Sequence, residues 1–533
     1  MRPLLMLALL LVTAGGCGAP PEARDTSVLT PVSGGTLRLI QEAPAGLDPV
    51  HSESVYESLP INQIFDTLVS TDAALNVVPA LADTWKISRD GLEYEFHLRR
   101  DVRFHDGESF DADDVLFTFN RVLRDGGTDS LAYPSLLPIR GAEAVANGAA
   151  DQLQGLVKLD DATVRFTLSK ANPLFLEQLA MDNLAIVPQH LLDGRDGSEF
   201  SRAPVGTGPF AFADWDDSSL VLRRNAAYFR GPAYLDEVKI NFYADDEDDY
   251  GKTRFLRGEI DALEPTSTTI AALTDWPDVE LYRFQELSLS FLGINSSRPP
   301  LDQVWLRRAI AHAIDRDKMV RASPLRVHAP GILPPGIAGF TPQVKRLDYS
   351  PDKARSILAE AGHAGGKGVP AIKIYEPSFG SEPDAVAKQV LDDLAAVGLT
   401  IELVQVTWSE LGEHLDAGTH ELFFLAWIAD MSDPDSFLSG FGEHSAGDYF
   451  RFDDERAVEL LRAAAAEFEP GERGRLYREA ELYILEQAPF VPLYHTRGIL
   501  ATHRGVHGMT PGPFGVGRLE LEDAWIEPRD DAS

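Results

Sequence analysis

The stretch Leu422-Phe423-Phe424-Leu425-Ala426-Trp427-Ile428-Ala429-Asp430-Met431-Ser432-Asp433-Pro434 carries the main structural signal of this chain. Its apolar first part runs into turn-forming and acidic residues, a pattern that predicts a buried strand ending at a loop. In α/β proteins, ligands bind where strands end and loops begin. Asp430 occupies that point close to Trp427, and a carboxylate beside an indole suits an ammonium group. The alternative is that Asp430 and Asp433 only cap a turn.

Composition limits the classes of protein to which the chain can belong. Its 533 residues exceed one ordinary core, and its apolar fraction of 44% and charged fraction of 25% are those of a soluble globular protein. The formal net charge of −35 argues against a nucleic-acid partner and against adhesion to anionic lipid. It is compatible with cationic ligands, although such acidity more commonly belongs to a solvated surface.

Motifs for catalysis or for metal binding are absent from the sequence. The single cysteine, Cys17, excludes an intramolecular disulfide, and the thirteen histidines are scattered without zinc spacing. Gly206-Thr207-Gly208-Pro209-Phe210 lacks the later glycine and lysine of a phosphate loop, and the acidic run 245–249 lacks the turn glycine of a calcium loop. The sequence therefore predicts no enzyme, no cofactor and no metal site.

The N-terminus resembles the leader of a bacterial lipoprotein. Arg2 supplies a positive charge, and Leu4 to Val12 is an apolar run too short to cross a bilayer. Small residues then precede Cys17, as in a lipobox, although the usual leucine is replaced by Ala14. We predict a signal peptide at 1–16 and a lipidated Cys17 that begins a flexible tether at 17–34. The alternative is an ordinary signal peptide with an unmodified cysteine.

Local patterns predict several elements of the body. Asp90-Gly91 between alternating runs indicates a β-hairpin, and the apolar spacing of 61–68 predicts a short helix. A helix at 383–397 followed by a strand at 401–406 predicts a right-handed α/β unit. The strand at 489–495 is expected to cross between two lobes, with a partner crossing near 285–287.

Many short motifs, in order, resemble one family, the periplasmic oligopeptide- and dipeptide-binding proteins of extracellular solute-binding protein family 5. The first is the W-x-A-D-x-x-D-P pattern that begins at Trp427. The others run from about Gly35 to about Trp525 and include 47–49, 65–69, 79–85, 98–107, 111–115, 206–210 and 258–261. Each motif is short, and their common order and spacing make the resemblance specific.

The resemblance implies an α/β fold with two lobes, the type II periplasmic-binding-protein fold (cluster C-like), with an extra domain beside the first lobe. It implies a first lobe made of 35–54, 196–284 and 488–527. The extra domain would be 55–195, and the second lobe 285–487. The protein would be monomeric.

The same resemblance implies a substrate-binding lipoprotein of an ABC importer, anchored by lipid in the periplasmic space, that captures peptides and delivers them to the permease subunits. Asp430 would bind the peptide ammonium group with support from Trp427, and Glu53 would meet ligand side chains. Oligopeptide-binding relatives have an arginine for a ligand carboxylate at the position of Phe424. The corresponding arginine of dipeptide-binding relatives is also missing from 375–379. The sequence therefore leaves the carboxylate partner unassigned.

Other functions stay open at this point. The family also includes binders of nickel chelates, haem, opines and sugars, so a non-peptide solute is an alternative on the same fold. A lipid-anchored peptidase is a second alternative, but no nucleophile–base pair stands at recognisable spacing. A receptor or chaperone subunit that works without an importer is a third.

Overall fold

The structure is a computed structural model that describes residues 30–52, 54–72, 75–127, 130, 132–243, 250–344, 347–377, 384–429, 431–442 and 449–528. Cys17, Glu53 and Asp430 lie outside these residues, as does the predicted leader. Among the described residues, no helix has the length and apolar character needed to span a membrane.

The strands alternate with helices along most of the chain. They are β1 (Thr36–Gln41), β2 (Val69–Thr71), β3 (Val77–Pro79), β4 (Ala82–Ile87), β5 (Glu93–Leu98), β6 (Leu156–Asp160), β7 (Thr163–Thr167), β8 (Phe210–Trp215), β9 (Ser219–Arg224), β10 (Glu237–Phe242), β11 (Ala262–Leu263), β12 (Val279–Gln285), β13 (Ser288–Ile294), β14 (Arg326–His328), β15 (Ile372–Pro377), β16 (Ile401–Val406), β17 (Leu422–Ile428), β18 (Phe490–His503), β19 (Val506–His507), β20 (Thr510–Gly512), β21 (Gly515–Glu520) and β22 (Trp525–Ile526).

The α-helices are mostly short, apart from those of the second half. They are α1 (Val55–Ile64), α2 (Ala112–Arg121), α3 (Tyr133–Leu136), α4 (Ala142–Ala146), α5 (Phe175–Gln178), α6 (Gln189–Leu192), α7 (Ser198–Arg202), α8 (Tyr250–Leu256), α9 (Ser267–Leu273), α10 (Val304–Ala313), α11 (Arg316–Arg321), α12 (Pro351–Glu360), α13 (Ala385–Ala396), α14 (Trp408–Asp416), α15 (Asp435–Leu438), α16 (Glu455–Ala465) and α17 (Pro470–Gln487). Single 3₁₀ or π turns cover Pro49–His51, Val122–Gly126, Asp182–Leu184, Ala364–Gly366 and Ser439–Phe441.

Two four-stranded sheets lie in the first half of the chain. One has the order β1-β10-β9-β8, with β1 parallel to β10 and the other pairs antiparallel. The other is the antiparallel sheet β4-β5-β7-β6, in which the predicted Asp90-Gly91 hairpin joins the first two strands. Its buried face packs Phe96 and Phe166 edge to face, which explains the alternation of apolar residues in these strands.

An eight-stranded sheet dominates the second half. Its main path is β11-β18-β13-β17-β15-β16, and β12 and β14 pair with β18 outside this path. Strand β15 is parallel to both β16 and β17, as expected for strand–helix–strand units. Strand β18 has 14 residues, and it pairs with β13 through its first half and with β12 and β11 through its second. This strand therefore joins β13 to β12 and β11 within one sheet, and its crossing between two lobes, like the limits of the lobes, stays a prediction.

The partner crossing lies at Glu286–Leu287, between β12 and β13. Leu287 donates its N–H to the carbonyl of Pro513 at 2.8 Å, and its own carbonyl accepts from the N–H of Ala429 at 2.7 Å. Through these two hydrogen bonds, the backbone of Leu287 connects the end of β17 to the hairpin of β20 and β21. Both segments are fixed relative to the crossing strands.

Helix α1 differs from the helix predicted at 61–68, because it begins at Val55 and ends at Ile64. A capping box places the start of the helix before the predicted one. The Ser54 hydroxyl accepts a hydrogen bond from the Tyr56 N–H, and the Glu57 carboxylate accepts one from the Ser54 N–H. Pro60 inside the helix lacks the N–H that would reach the Tyr56 carbonyl. Gln41 at the end of β1 donates to that carbonyl instead, at 2.7 Å, and so joins the helix to the first sheet.

Candidate ligand-binding site

A small cavity of about 140 Å³ lies where the end of β17 meets the start of α1. Strand β17 belongs to the predicted second lobe and α1 to the predicted extra domain, so with these limits the cavity would lie in the predicted cleft. Its walls are Ser52, Ser54, Val55, Ser58, Asp182, Asn183, Ile428, Ala429, Phe514, Gly517 and Arg518.

A larger cavity of about 300 Å³ adjoins it. The two share Phe514 and Arg518 as wall residues, and the larger one extends between the end of α1, strand β2 and the segment 508–523. Its carboxylates are Asp66, Asp72, Glu520, Glu522 and Asp523, against the two guanidinium groups of Arg230 and Arg518. Taken together, the cavities have the size of a small-molecule site, and polar and apolar groups share their lining about equally.

The structure brings together the neighbours of two predicted site residues. Ser52 and Ser54 flank Glu53, Ala429 precedes Asp430, and all three line the small cavity. The positions of Glu53 and Asp430 themselves lie outside the described residues. Their assignment to ligand binding therefore stays a prediction.

The other two predicted site residues lie on β17. Trp427 pairs with Leu289 of β13, and 39% of its surface is exposed near the end of the strand. Phe424 pairs with Leu292, is half-buried and packs against the core formed with α10, α12 and α13. It lines neither of the two cavities just described, and its role in binding stays a prediction.

Exposed apolar side chains face the small cavity from both sides. Ile428 of β17 and Val55 of α1 both line it, and they are 41% and 38% exposed. Tyr56 and Trp427, next to them in the sequence, have similar exposure. Exposed apolar side chains beside polar ones are typical of ligand clefts.

A hydrogen bond joins the two sides of the cleft at its rim. The Glu177 carboxylate of α5 accepts from the backbone N–H of Ser432 at 2.6 Å and also from the Ser432 hydroxyl. Burial raises the pKa of Glu177, and the two Ser432 hydrogen bonds oppose this rise. This contact joins α5 of the predicted extra domain to the loop after β17 of the predicted second lobe.

A buried polar cluster supports the wall of the larger cavity. Asp66 accepts from the Thr207 hydroxyl at 2.7 Å and from the Tyr228 hydroxyl at 2.9 Å, and Arg230 lies 3.5 Å away. Burial raises the pKa of Asp66, whereas the Arg230 charge and the two hydroxyl groups lower it. Arg230 also pairs with Glu522 at 3.5 Å, so its charge is shared between two acids.

Sequence reasoning missed the residues that come from α5, from the 182–184 turn and from the hairpin of β20 and β21. The hairpin has a local signal in the sequence, because Gly512-Pro513 is a turn-forming pair between two short segments of the chain. Nothing in the sequence indicated that this hairpin would reach the end of β17. Its register against α1 depends on tertiary contacts alone.

Comparison with known proteins now identifies the family. The model of the bacterial extracellular solute-binding proteins, family 5 (middle), matches residues 76–449. This chain belongs to that family. It is 28% identical to Heme-binding protein A of Haemophilus influenzae, over 97% of each chain. It is 30% identical to Di/tripeptide-binding protein 2 of Pseudomonas aeruginosa, over 96% of this chain and 98% of that one.

Solved structures agree with this assignment. An ABC transporter-associated periplasmic binding protein of Helicobacter pylori in complex with the peptide STSA superimposes with a TM-score of 0.80. That chain is 27% identical to this one, and the match covers 93% of this chain and 99% of that one. The periplasmic-binding-protein fold predicted from the sequence is thereby confirmed. The chain is a solute-binding member of the family.

Proposed function

We propose that this protein binds short peptides in the cleft between its lobes and delivers them to the permease of an ABC importer. The observation that carries the proposal is the cavity between the end of β17 and the start of α1, walled from both sides. A ligand there would contact both lobes and favour the closed form by binding it more strongly than the open form.

Recognition of the peptide ammonium group is assigned to Asp430. Ala429, the residue before it, lines the small cavity, and the exposed indole of Trp427 lies on the same strand end. Glu53 would meet a ligand side chain from the opposite side, next to Ser52 and Ser54. Backbone groups near these positions would pair with the peptide main chain, which is a recognition mode tolerant of different side chains.

Haem is the second candidate solute, because one relative of similar identity is named as a haem-binding protein. Within the described part of the chain, the cavity walls consist of carboxylates, hydroxyl groups, amides, apolar groups and two arginines. Ionic and hydrogen-bonding groups of this kind suit a zwitterionic peptide better than a large apolar macrocycle. Peptide is therefore the solute that we put first.

The cellular setting follows from the proposal. Cys17 would carry the lipid that anchors the protein in the periplasmic space, and 18–34 would serve as the tether. The acidic surface, with a formal net charge of −35, would keep the monomeric body apart from anionic lipid. Catalysis is not part of this function.

Calorimetry on the unlipidated 18–533 protein tests the proposal. We expect saturable binding of a pool of di- to pentapeptides and no binding of haem. Asp430→Ala should weaken peptide binding by about a hundredfold, because a buried charged pair that loses one partner costs about 2–5 kcal/mol. Unchanged binding by this variant would reject the ammonium assignment, and haem binding without peptide binding would reject the proposed solute.

A further inference from the structure

Arg518 is the one wall residue with a positive charge that the two cavities have in common. It belongs to β21, its side chain is partly buried, and its guanidinium lies over the Phe514 ring at 4.6 Å from the ring centre. Stacking of this kind orients the guanidinium plane but leaves its N–H groups free to bind an anion.

This guanidinium makes no hydrogen bond and no ion pair with any residue that the structure describes. The other arginine of the cavity walls, Arg230, contacts Tyr228, Asp66 and Glu522. Burial raises the pKa of Glu177 and the charge of Arg518 opposes this rise, but the Glu177 carboxylate is already hydrogen-bonded to Ser432. Among the described residues, Arg518 is therefore a partly desolvated cation whose donors have no hydrogen-bond acceptor, an arrangement that favours an incoming carboxylate.

The backbone on either side of Arg518 is held firmly. The carbonyl of Gly517 accepts from the side-chain amide of Asn62 at 3.1 Å, and the carbonyl of Leu519 accepts from that of Gln63 at 2.9 Å. Gly517 also allows β21 to approach α1 closely, because a β-carbon there would lie 3.2 Å from Val55 Cβ. The guanidinium is thus presented from a rigid base, as tight anion binding requires.

We infer that Arg518 binds the C-terminal carboxylate of the peptide, which the sequence left without a partner. This inference rests on the proposed function. The guanidinium fork matches a carboxylate in a two-bond arrangement. Arg518 shares the small cavity with Ala429, the neighbour of the proposed ammonium anchor. A cavity of about 140 Å³ with this guanidinium in its wall has room for a short peptide.

The acids of the larger cavity support the same placement. Beyond Arg518, the wall carries Glu520, Glu522 and Asp523. These acids repel a second carboxylate, so the ligand carboxylate stops at Arg518. The larger cavity is left for the side chain of the last ligand residue.

The test compares a dipeptide with its C-terminal amide in calorimetric titrations of three proteins. Arg518→Gln removes the proposed partner. Arg223→Gln removes an arginine from β9 whose side chain is 72% exposed, and it serves as the charge-matched control. We expect the wild type and the control to prefer the free acid by about tenfold or more. Arg518→Gln should bind acid and amide equally, with the amide affinity unchanged.

Each outcome has one meaning. Equal binding of acid and amide by the wild type would overturn the inference and leave the proposed function intact, as would a preference retained in Arg518→Gln. Failure of the wild type to bind either ligand would reject the proposed function itself. Should Arg518→Gln fail to fold, Arg518→Lys replaces it, with a reduced acid preference expected because lysine lacks the planar fork.

Discussion

At the scale of single residues, the loop after β17 is held by a buried ion pair. The Arg473 guanidinium of α17 contacts both carboxylate oxygens of Asp433 at 2.8 Å and also donates to the carbonyls of Ala464 and Ala465. Both charged groups are buried. The Asp-Pro motif of the opening stretch is therefore a structural anchor, which agrees with the turn-capping role that its sequence allows.

Removal of this pair should destabilise the protein strongly. Arg473→Ala leaves Asp433 buried without its cation, and we expect a loss of about 3–5 kcal/mol in the free energy of unfolding. The matched control is Arg475→Ala on the same helix, whose exposed pair with Glu472 contributes little. Urea unfolding of the two variants measures the difference, and similar unfolding midpoints would contradict the assigned role.

A buried histidine in β18 makes stability depend on pH. Within the described part of the chain, His495 Nε2 has no hydrogen-bond partner. Its Nδ1 lies 2.7 Å from the Ser288 carbonyl, and burial lowers its pKa to about 4. In the unfolded chain the pKa of histidine is about 6.5. As pH falls from about 6.5 to about 4, the unfolded chain binds a proton that the folded one does not, so stability decreases over this range.

Substitution of His495 should remove this part of the pH dependence. Between pH 6.5 and pH 5 the wild type should lose about 1.5 kcal/mol more than His495→Gln, because the unfolded histidine is already half protonated at pH 6.5 and a pKa unit is worth about 1.36 kcal/mol. Urea midpoints at the two pH values provide the measurement. The exposed His51→Gln should retain the wild-type slope, and an equal slope in His495→Gln would show that this histidine does not carry the effect.

At the scale of elements, the hairpin of β20 and β21 positions the floor of the site. It packs on α1 through Gly517, and the Leu287 N–H bonds to its turn at Pro513. Three separate parts of the chain meet at this hairpin: α1, the crossing between β12 and β13, and the end of β17. A small displacement of β21 changes both cavities.

A methyl group on Gly517 should produce such a displacement. In Gly517→Ala the new β-carbon would lie 3.2 Å from Val55 Cβ and 3.3 Å from its Cα, so helix or strand must shift. We expect a loss of about 1–3 kcal/mol in stability and weaker peptide binding. Gly512→Ala in the same hairpin meets no atom within 4 Å and is the control. Equal affinities for the two variants would contradict the positioning role.

Short-range patterns were sufficient to predict many of these elements. Strands β16 and β17 have the predicted limits, and Ser350 caps α12 where its Ser-Pro signal stands. Helix α1 was misplaced because a capping box outweighed the apolar spacing of 61–68. The hairpin's contact with β17, and with it the role of Arg518, depends on contacts between residues that are distant in sequence. No local pattern encodes such contacts, so the site was only partly predictable.

At the scale of the whole molecule, two kinds of connection join the sides of the predicted cleft. The Glu177 carboxylate and Ser432 form a polar contact at the rim, and the long strand β18 and the backbone at Leu287 form the covalent connection. An arrangement with a continuous hinge and a weak rim contact suits a protein that opens to exchange ligand.

The rim contact should contribute to ligand retention. Glu177→Ala removes the acceptor of the two Ser432 hydrogen bonds, and a hydrogen bond to a charged group is worth about 1.5–3 kcal/mol. We therefore expect peptide affinity to fall by about tenfold or more, mainly through faster dissociation. Stopped-flow release kinetics measure this. Glu199→Ala in the exposed part of α7 is the control, and equal release rates would refute the contribution of the rim.

Hydrogen exchange with and without saturating peptide tests most directly whether the ligand lies between the lobes. Three separate segments line the small cavity: 54–58, 428–429 and 514–518. We predict that peptide slows amide exchange in all three at once, together with Ser432 at the rim, and leaves the distant sheet of β4 to β7 unchanged. Slower exchange on only one side of the cleft, or in none of these segments, would contradict the account.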